Sequence, residues 1–131
     1  MKDFKWQARV YYEDTDAGGV VYHARYLAFY ERARTEMLRQ YNIQQESLLS
    51  QNIAFVVKSM TIDYVSAARL DDLLTIECKI ESVRRASLQF KQQILDQNGK
   101  LISQADVLIA CVDISKMKPI ALPQIIVAEF M

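Results

Sequence analysis

The stretch from His23 to Tyr41, HARYLAFYERARTEMLRQY, decides the fold that we predict for this chain. At about 100° per residue, its apolar side chains gather on half of a helix surface, and charged side chains fill most of the other half. Neither glycine nor proline interrupts the run, and Asn42 follows it as a stop signal. The pattern therefore predicts one long amphipathic helix over about residues 23–41. Arg34 falls within the apolar arc, which predicts a buried ion pair.

Segments on both sides of this helix alternate apolar and polar residues, a period of two that is typical of half-buried strands. In chain order, strands are predicted at residues 6–13, 59–64, 74–81, 88–94 and 101–112. The four strands after the helix are expected in a meander-like succession, with a two-residue hairpin turn at Asn98-Gly99, since both central positions of a type I′ turn need a positive φ. A short helical piece is expected near residues 44–51, and Pro119 and Pro123 bracket an irregular tail.

One apolar helix face and one antiparallel sheet must bury each other. A curved five-stranded antiparallel sheet wrapped around one long helix is the hotdog arrangement, an α+β fold. The length of 131 residues fits a single domain over residues 1–131. Because the helix covers only one face of the sheet, the two-sided apolar residues from Val107 to Val112 predict a partner subunit.

The composition excludes several classes of function. Sixteen basic and sixteen acidic residues leave no net charge, which argues against nucleic acid as a partner. A single histidine excludes multi-histidine metal sites, and three glycines leave no room for a nucleotide-binding loop. Without a signal segment or an apolar run of about 20 residues, we expect a cytoplasmic protein with no transmembrane segment, whose two cysteines are reduced.

The segment ahead of the helix, YEDTDAGGVVYH from Tyr12 to His23, carries the chemistry-bearing residues. Paired glycines let a backbone approach a ligand closely, and free N–H groups at a helix start favour negative charge. A nearby carboxylate can serve as a nucleophile or as a general base. The plainer alternative is that Asp14 satisfies a turn and that His23 only begins the helix.

This segment resembles a known signature. The stretch YYEDTDAGGVVYH from Tyr11 to His23, followed by FYERARTE over residues 29–36, is similar to the Tol-Pal-associated acyl-CoA thioesterases of YbgC type. These belong to the 4-hydroxybenzoyl-CoA thioesterase branch of hotdog proteins. Further matches extend the resemblance nearly end to end: AFVV at 54–57, ARLDD at 68–72, KMKP at 116–119 and ALP at 121–123.

The resemblance implies that Asp16 is the catalytic carboxylate, either attacking the thioester to form a mixed anhydride or activating water. It implies an oxyanion site in the backbone around Gly19, Val20 and Tyr22, up to His23. Aromatic-type relatives have a tyrosine in place of His23 and a proline in place of Ala24, so His23 is a candidate second catalytic group. No cofactor is implied, because coenzyme A is part of the substrate.

Further candidates lie outside this loop. The helical spacing of Tyr26 favours a core residue, but its place near the helix start also makes it a candidate for lining an acyl pocket. Arg84 and Arg85 match paired arginines of the aromatic relatives and, with Ser87, are candidates for binding the phosphates of coenzyme A. Glu31 is the second-choice base, since other hotdog thioesterases place a carboxylate on this helix.

The resemblance also implies a homodimer or homotetramer with active sites at the subunit interface, acyl carrier protein as another acyl donor, and a location extending to the periphery of the inner membrane. Two alternatives stay open. One is a hotdog hydratase or dehydratase that uses His23 and Glu31. The other is an acyl-binding or scaffold protein of the envelope or phospholipid-synthesis machinery, with weak hydrolysis.

Overall fold

The computed structural model describes residues 3–131, in which one antiparallel sheet wraps around one long helix. The strands are β1 (Asp3–Arg9), β2 (Ile53–Tyr64), β3 (Leu73–Val83), β4 (Ser87–Leu95), β5 (Leu101–Asp113) and the short β6 (Lys118–Pro119). The helices are α1 (Arg25–Gln40), α2 (Gln45–Leu49) and α3 (Gln124–Phe130), with a 3₁₀ turn over Tyr12–Asp14. The predicted hotdog arrangement is confirmed.

Helix α1 lies within the predicted range of 23–41 and forms for the predicted reason. Its buried side chains lie on one face, which packs against β3 and β1. At its end, the N–H of Asn42 donates to the carbonyl of Arg39, and Asn42 adopts a left-handed φ of 65°. A left-handed residue after the last turn ends a helix, as the stop signal predicted.

The strand order is β1-β3-β4-β5-β2, so the meander-like succession is correct only for β3 to β5. β2 pairs with β5, from Ile53 opposite Asp113 to Tyr64 opposite Ser103, and forms an edge of the sheet. Residues 65–72 then carry the chain across the end of the sheet to β3. Periodicity identifies a strand but does not identify its neighbour, which depends on this connection.

Four segments differ from the sequence prediction. β2 begins at Ile53 instead of residue 59. The two-residue turn expected at Asn98-Gly99 is not formed, because only Gly99 of the two has a positive φ and the Asp96 N–H donates to the Lys100 carbonyl at 3.0 Å, which closes a loop over residues 97–99.

β1 ends at Arg9 instead of residue 13, because the carboxylate of Asp14 accepts the Tyr11 N–H at 2.8 Å and the chain turns there. The tail is irregular up to Pro123, but a helix that the sequence pattern does not predict follows it. This helix, α3, buries Ile126 completely, and its seven residues are too few to show a helical period.

Both cysteines, Cys78 and Cys111, are free and buried. Within residues 3–131, no helix has the length and apolar character needed to cross a membrane.

Candidate active site

The chain between β1 and α1 forms a small hairpin, the Asp16 loop (residues 14–22). Three backbone hydrogen bonds close it: Tyr22 N–H to the Asp14 carbonyl at 2.9 Å, Asp16 N–H to the Val20 carbonyl at 2.9 Å, and Gly19 N–H back to the Asp16 carbonyl at 3.0 Å. Gly19 stands at the turn with φ of 79°, a conformation that favours glycine. The loop is therefore an ordered hairpin next to the start of α1.

Asp16 lies on this hairpin with its side chain exposed. Its Oδ1 atom accepts the Gly18 N–H at 2.8 Å, and a Cβ atom on Gly18 would lie 3.1 Å from that oxygen. The other oxygen, Oδ2, has no hydrogen-bond partner within residues 3–131. One oxygen thus orients the carboxylate and the other is free to attack a carbonyl or to accept a proton from water.

Asp14 has the opposite environment, although it lies only two residues away. It is 5% exposed, and both of its oxygens are occupied. Oδ2 accepts the Tyr11 N–H at 2.8 Å, while Oδ1 accepts Nε and Nη2 of Arg25 at 3.0 and 2.8 Å. Asp14 is therefore a structural residue of the loop, in agreement with the alternative that its side chain satisfies a turn.

The backbone amides of this segment divide into occupied and free groups. Of the three predicted oxyanion donors, Gly19 and Tyr22 already donate within the loop, and only the Val20 N–H lacks a partner in the described chain. The N–H groups of His23 and Ala24 are also free there. Ala24 is the N-cap of α1 and supplies no side-chain acceptor. An uncapped helix start with free N–H groups attracts negative charge.

The imidazole of His23 is exposed and held by aromatic rings. It lies 4.6 Å from the Tyr22 ring and 6.1 Å, edge-on, from the Tyr64 ring (centroid distances). The Tyr64 hydroxyl donates to the His23 carbonyl at 3.2 Å. Sequence reasoning treated Tyr64 only as a strand residue, since 41 positions separate it from His23.

Tyr26 is directed into the protein interior. It is 4% exposed, and its hydroxyl accepts the Ala68 N–H at 3.2 Å. Burial raises the pKa of the Tyr26 hydroxyl, although the hydrogen bond from Ala68 opposes the shift. Tyr26 joins α1 to the connection over residues 65–72 and is a core residue, the first of the two alternatives that its position in the sequence offers.

The second-choice base, Glu31, is not brought to His23. It is exposed and lies six residues beyond Arg25, about 9 Å along the helix axis. Within residues 3–131, no hydrogen bond or ion pair joins it to His23. Glu31 instead borders a cavity of about 300 Å³ between α1, α2 and β2, whose apolar walls include Phe55, Val57, Leu88 and Phe90.

Arg34 also borders this cavity, and the predicted ion pair is not formed within the described residues. Arg34 is 8% exposed, and its Nη1 donates to the amide oxygen of Gln92 at 3.0 Å. Gln92 Nε2 in turn donates to the Tyr30 carbonyl at 3.1 Å and to Cys78 Sγ at 2.9 Å. We call Tyr30, Arg34, Cys78 and Gln92 the buried network; an amide replaces the carboxylate that the sequence led us to expect.

Burial lowers the pKa of the Arg34 guanidinium, partly offset by the charge of Glu31. Burial likewise raises the pKa of the Cys78 thiol to about 12. A thiol with so high a pKa carries almost no thiolate at neutral pH, and the thiolate is the nucleophilic form. The buried network therefore offers no nucleophile.

Arg84 and Arg85 are exposed in the turn between β3 and β4, and the Arg84 N–H donates to the carbonyl of the half-buried Ser87, the first residue of β4, at 2.9 Å. Leu73, at the other end of β3, pairs with Arg9 beside the Asp16 loop. The eleven residues from Leu73 to Val83 span about 33 Å of strand. The arginines and Asp16 of one chain are therefore at opposite ends of the sheet.

A family model of the thioesterase-like superfamily matches residues 10–130. The chain belongs to this superfamily, in its YbgC branch. It is 58% identical to the acyl-CoA thioester hydrolase YbgC of Escherichia coli, over 97% of this chain and 95% of that protein. It is 55% identical to the acyl-CoA thioesterase YbgC of Haemophilus influenzae, over 97% and 93%. The resemblance that the sequence motifs indicated is confirmed.

Solved structures agree with this membership. A probable thioesterase from Bartonella henselae is 39% identical and superposes with a TM-score of 0.86, covering 93% of this chain and all of that one. A 1,4-dihydroxy-2-naphthoyl-CoA thioesterase from Synechocystis superposes with a TM-score of 0.91 at 22% identity, over 97% and 94% of the two chains. At that identity the likeness supports the fold alone.

Proposed function

We propose that this protein hydrolyses the thioester bond of acyl-CoA, with Asp16 and the backbone N–H of His23 as its reactive groups. The observation that carries the proposal is an open carboxylate oxygen on a hairpin that leads directly into an uncapped helix start with an unpartnered amide. The thioester carbonyl oxygen accepts the His23 N–H, which stabilises the oxyanion that forms; one such donor lowers a barrier by roughly 3–4 kcal/mol. The names of the YbgC relatives support the same reaction.

Asp16 performs the bond-forming step by one of two routes. Its free oxygen attacks the carbonyl to give a mixed anhydride, which water then hydrolyses to the free acid and the regenerated carboxylate, or it takes a proton from a water molecule that attacks the carbonyl itself. In both routes the thiolate of coenzyme A leaves, and the exposed ring of His23 lies at the same helix start, where it can protonate that thiolate. Among the free amides we choose His23 over Ala24, because aromatic relatives carry a proline in the second position.

The test is thiol release from a panel of acyl-CoA thioesters of graded chain length. Asp16→Asn keeps the shape of the side chain but removes the base and nucleophile, and we expect kcat/KM to fall by about 10²–10⁴-fold. Asp96→Asn is the matched control, because Asp96 Oδ1 also accepts the N–H two residues on, from Asn98 at 2.9 Å, in an exposed turn. Equal activity of both variants would falsify the assignment of Asp16.

The two alternative functions have less support. The distance from His23 to Glu31 along α1 disfavours a hydratase that uses this pair. A scaffold protein predicts tight binding to envelope proteins and at most weak release of thiol from any member of the panel. Fast release that depends on Asp16 excludes both alternatives.

We also propose a homodimer formed through the edges of two β2 strands. β2 is 12 residues long and has no strand partner on its outer side within residues 3–131, and its exposed side chains include Val57 and Tyr64. A long apolar edge strand favours pairing with another chain. Antiparallel pairing about a two-fold axis sets the Ile53 end of one β2 beside the Tyr64 end of the other.

That geometry gives the distant arginines a role. In each chain, the Ile53 end of β2 lies at the same end of the sheet as the β3–β4 turn. Because this end lies beside the Tyr64 end of the other chain's β2, Arg84 and Arg85 of one chain approach the Asp16 loop of the other. The same geometry places the cavity bounded by Glu31 and Phe55 of one chain beside the Asp16 loop of the other chain. We therefore assign this cavity as the site that holds the acyl group during hydrolysis at that loop. The phosphates of coenzyme A then contact arginines across the interface.

Subunit complementation tests this arrangement. Arg84→Ala is expected to raise KM for acyl-CoA but not for a short pantetheine thioester, whereas the exposed control Lys79→Ala changes neither. A heterodimer of one Asp16→Asn chain and one Arg84→Ala chain, isolated with two affinity tags, then contains one site with both native residues. We expect wild-type KM in this heterodimer; a KM equal to that of Arg84→Ala would place the two residues in one chain.

The remaining family-based expectations are proposals supported by the resemblance alone. They are assembly of two dimers into a tetramer, acyl carrier protein as a second acyl donor, and work in the cytoplasm beside the inner membrane in connection with the Tol-Pal system. Light scattering of the purified protein measures the first of these directly.

A further inference from the structure

We propose that Asp14 and Arg25 act as a positioning clamp that sets Asp16 against the His23 amide. This inference rests on the proposed function, because it assigns how the reactive groups of that mechanism are held. Neither Asp14 nor Arg25 is placed in contact with the substrate. Their role is to fix the distance between the Asp16 loop and the start of α1.

Asp14 joins three points of the chain. Its Oδ2 atom accepts the N–H of Tyr11, just after β1, and its Oδ1 atom accepts two N–H groups of Arg25, the first residue of α1. Its backbone carbonyl accepts the N–H of Tyr22, at the end of the loop. One buried residue therefore ties the incoming strand, the closing end of the loop and the helix together.

The hairpin transmits this position to Asp16. Asp14 pairs with Tyr22, Thr15 bridges Val21, and the Asp16 N–H donates to Val20, so successive rungs connect Asp14 to the reactive carboxylate. His23 directly follows the residue at the first rung. A shift of Asp14 relative to Arg25 changes the distance between Asp16 and the His23 amide.

Helix stability alone does not explain the identity of Arg25. A cation in the first turn of a helix opposes the macrodipole, and α1 has no acidic residue in that turn to offset it. An aspartate or serine at the N-cap would stabilise the helix better, but its side chain would accept the free amides. The chain instead stabilises the helix start through Arg25 and Asp14, which leaves the His23 N–H available to a ligand.

The ion pair is well placed for such a role. The Asp14 side chain is 7% exposed and that of Arg25 is 34% exposed, and two N–H groups of the guanidinium contact one carboxylate oxygen. Charge-assisted hydrogen bonds with two donors fix orientation as well as distance. Glu13 also lies 3.6 Å from Arg25, but it is mostly exposed and adds little restraint.

The experiment measures kcat and KM for the best acyl-CoA in Asp14→Asn and Arg25→Lys, with circular dichroism and thermal unfolding of each. We expect kcat of Asp14→Asn to fall by about 10²-fold at unchanged KM, as small displacements of reacting groups do. Arg25→Lys keeps the charge but loses the second contact, so we expect an intermediate kcat. The control Glu36→Gln breaks the 2.7 Å pair with Arg39 at the other end of α1 and leaves kcat unchanged.

A double variant separates positioning from simple stabilisation. If Asp14 acts through Asp16, Asp14→Asn causes no further loss of kcat in an Asp16→Asn background. An equal loss in both backgrounds would overturn the clamp, as would a folded Asp14→Asn with wild-type kcat. If Asp14→Asn does not fold, Arg25→Lys decides: wild-type kcat in that variant overturns the clamp.

The two proposals fail in different ways. Unchanged kcat in Asp16→Asn overturns the proposed mechanism, together with the clamp that depends on it. Loss of activity in Asp16→Asn with full activity in Asp14→Asn and Arg25→Lys overturns only the clamp.

Discussion

Helix α1 contacts two polar regions that differ in whether their hydrogen-bonding groups have partners within the chain. At its start, the His23 N–H and one oxygen of Asp16 have no partner within residues 3–131. Under its middle, the buried network is satisfied, and no buried side-chain nitrogen or oxygen of the described chain lacks a hydrogen bond. Polar groups left free where solvent reaches them can bind a ligand, whereas those beneath the helix contribute to stability and specificity of packing.

This difference predicts that changes in the Asp16 loop alter activity, while changes in the buried network alter stability. Apart from the changes to the reactive groups and the clamp described above, the largest effect on activity is expected for Gly18→Ala. Its added Cβ atom would lie 3.1 Å from Asp16 Oδ1, so the carboxylate must move. A contact of 3.1 Å requires a shift of a few tenths of an ångström, so we expect kcat/KM to fall by about tenfold with a small change in melting temperature.

Gly99→Ala is the matched control for this variant. Gly99 has φ of 78° and open space around the added Cβ atom, so that substitution introduces backbone strain far from Asp16. It should lower the free energy of unfolding by about 1 kcal/mol and leave kcat/KM unchanged. The reverse pattern in the two glycine variants contradicts the division between the regions.

The next effect is on stability. Gln92→Leu removes the acceptor of Arg34 Nη1 and leaves a buried guanidinium without a partner. We expect the free energy of unfolding in urea to fall by about 2 kcal/mol. Gln93→Leu makes the same substitution on the outer face of β4, where Gln93 contacts Glu77. It should lower the free energy of unfolding by less than Gln92→Leu does. Equal losses in both variants mean that the buried network adds nothing beyond a surface hydrogen bond.

High pH tests the network without changing its shape. Burial raises the pKa of Cys78 from 9.0 in a free thiol to about 12, so above pH 9 the unfolded chain loses this proton before the folded one. Stability is then lost as pH rises from 9 towards 12, at up to about 1.4 kcal/mol per pH unit. Urea titrations at pH 8 and at pH 10 measure this decrease in the free energy of unfolding. In Cys78→Ala the free energy of unfolding should decrease less between pH 8 and pH 10. An identical decrease in the variant and the wild type would assign the effect to other titrating groups.

The smallest expected effect is that of Ala24→Pro. Ala24 has φ of −70°, which suits proline, and its N–H has no partner within residues 3–131. We expect unchanged kcat/KM and a free energy of unfolding raised by about 0.5–1 kcal/mol, since proline restricts the unfolded chain. If Ala24→Pro folds but its kcat falls strongly, the oxyanion donor is the Ala24 N–H instead of the His23 N–H.

Much of the candidate site could be predicted from the sequence. The Asp16 loop is one continuous segment, so its aspartates, glycines and histidine form a motif that the sequence displays directly. The sequence does not reveal that the Gly19 and Tyr22 amides are occupied, because a backbone donor has no residue-type signature. The absence of a capping side chain before Arg25 is the one sequence signal that indicates a free His23 amide.

The sequence by itself determined the elements of this protein. Periods of 3.6 and 2 residues are local properties, and they defined α1 and the five long strands because each element must bury one face. Tertiary structure alone decided which elements and side chains meet. It paired β2 with β5, joined Tyr64 to His23, gave Arg34 an amide partner in Gln92, and separated Arg84 from Asp16 by the length of a strand. These relations depend on the path of the connections, which no local pattern encodes.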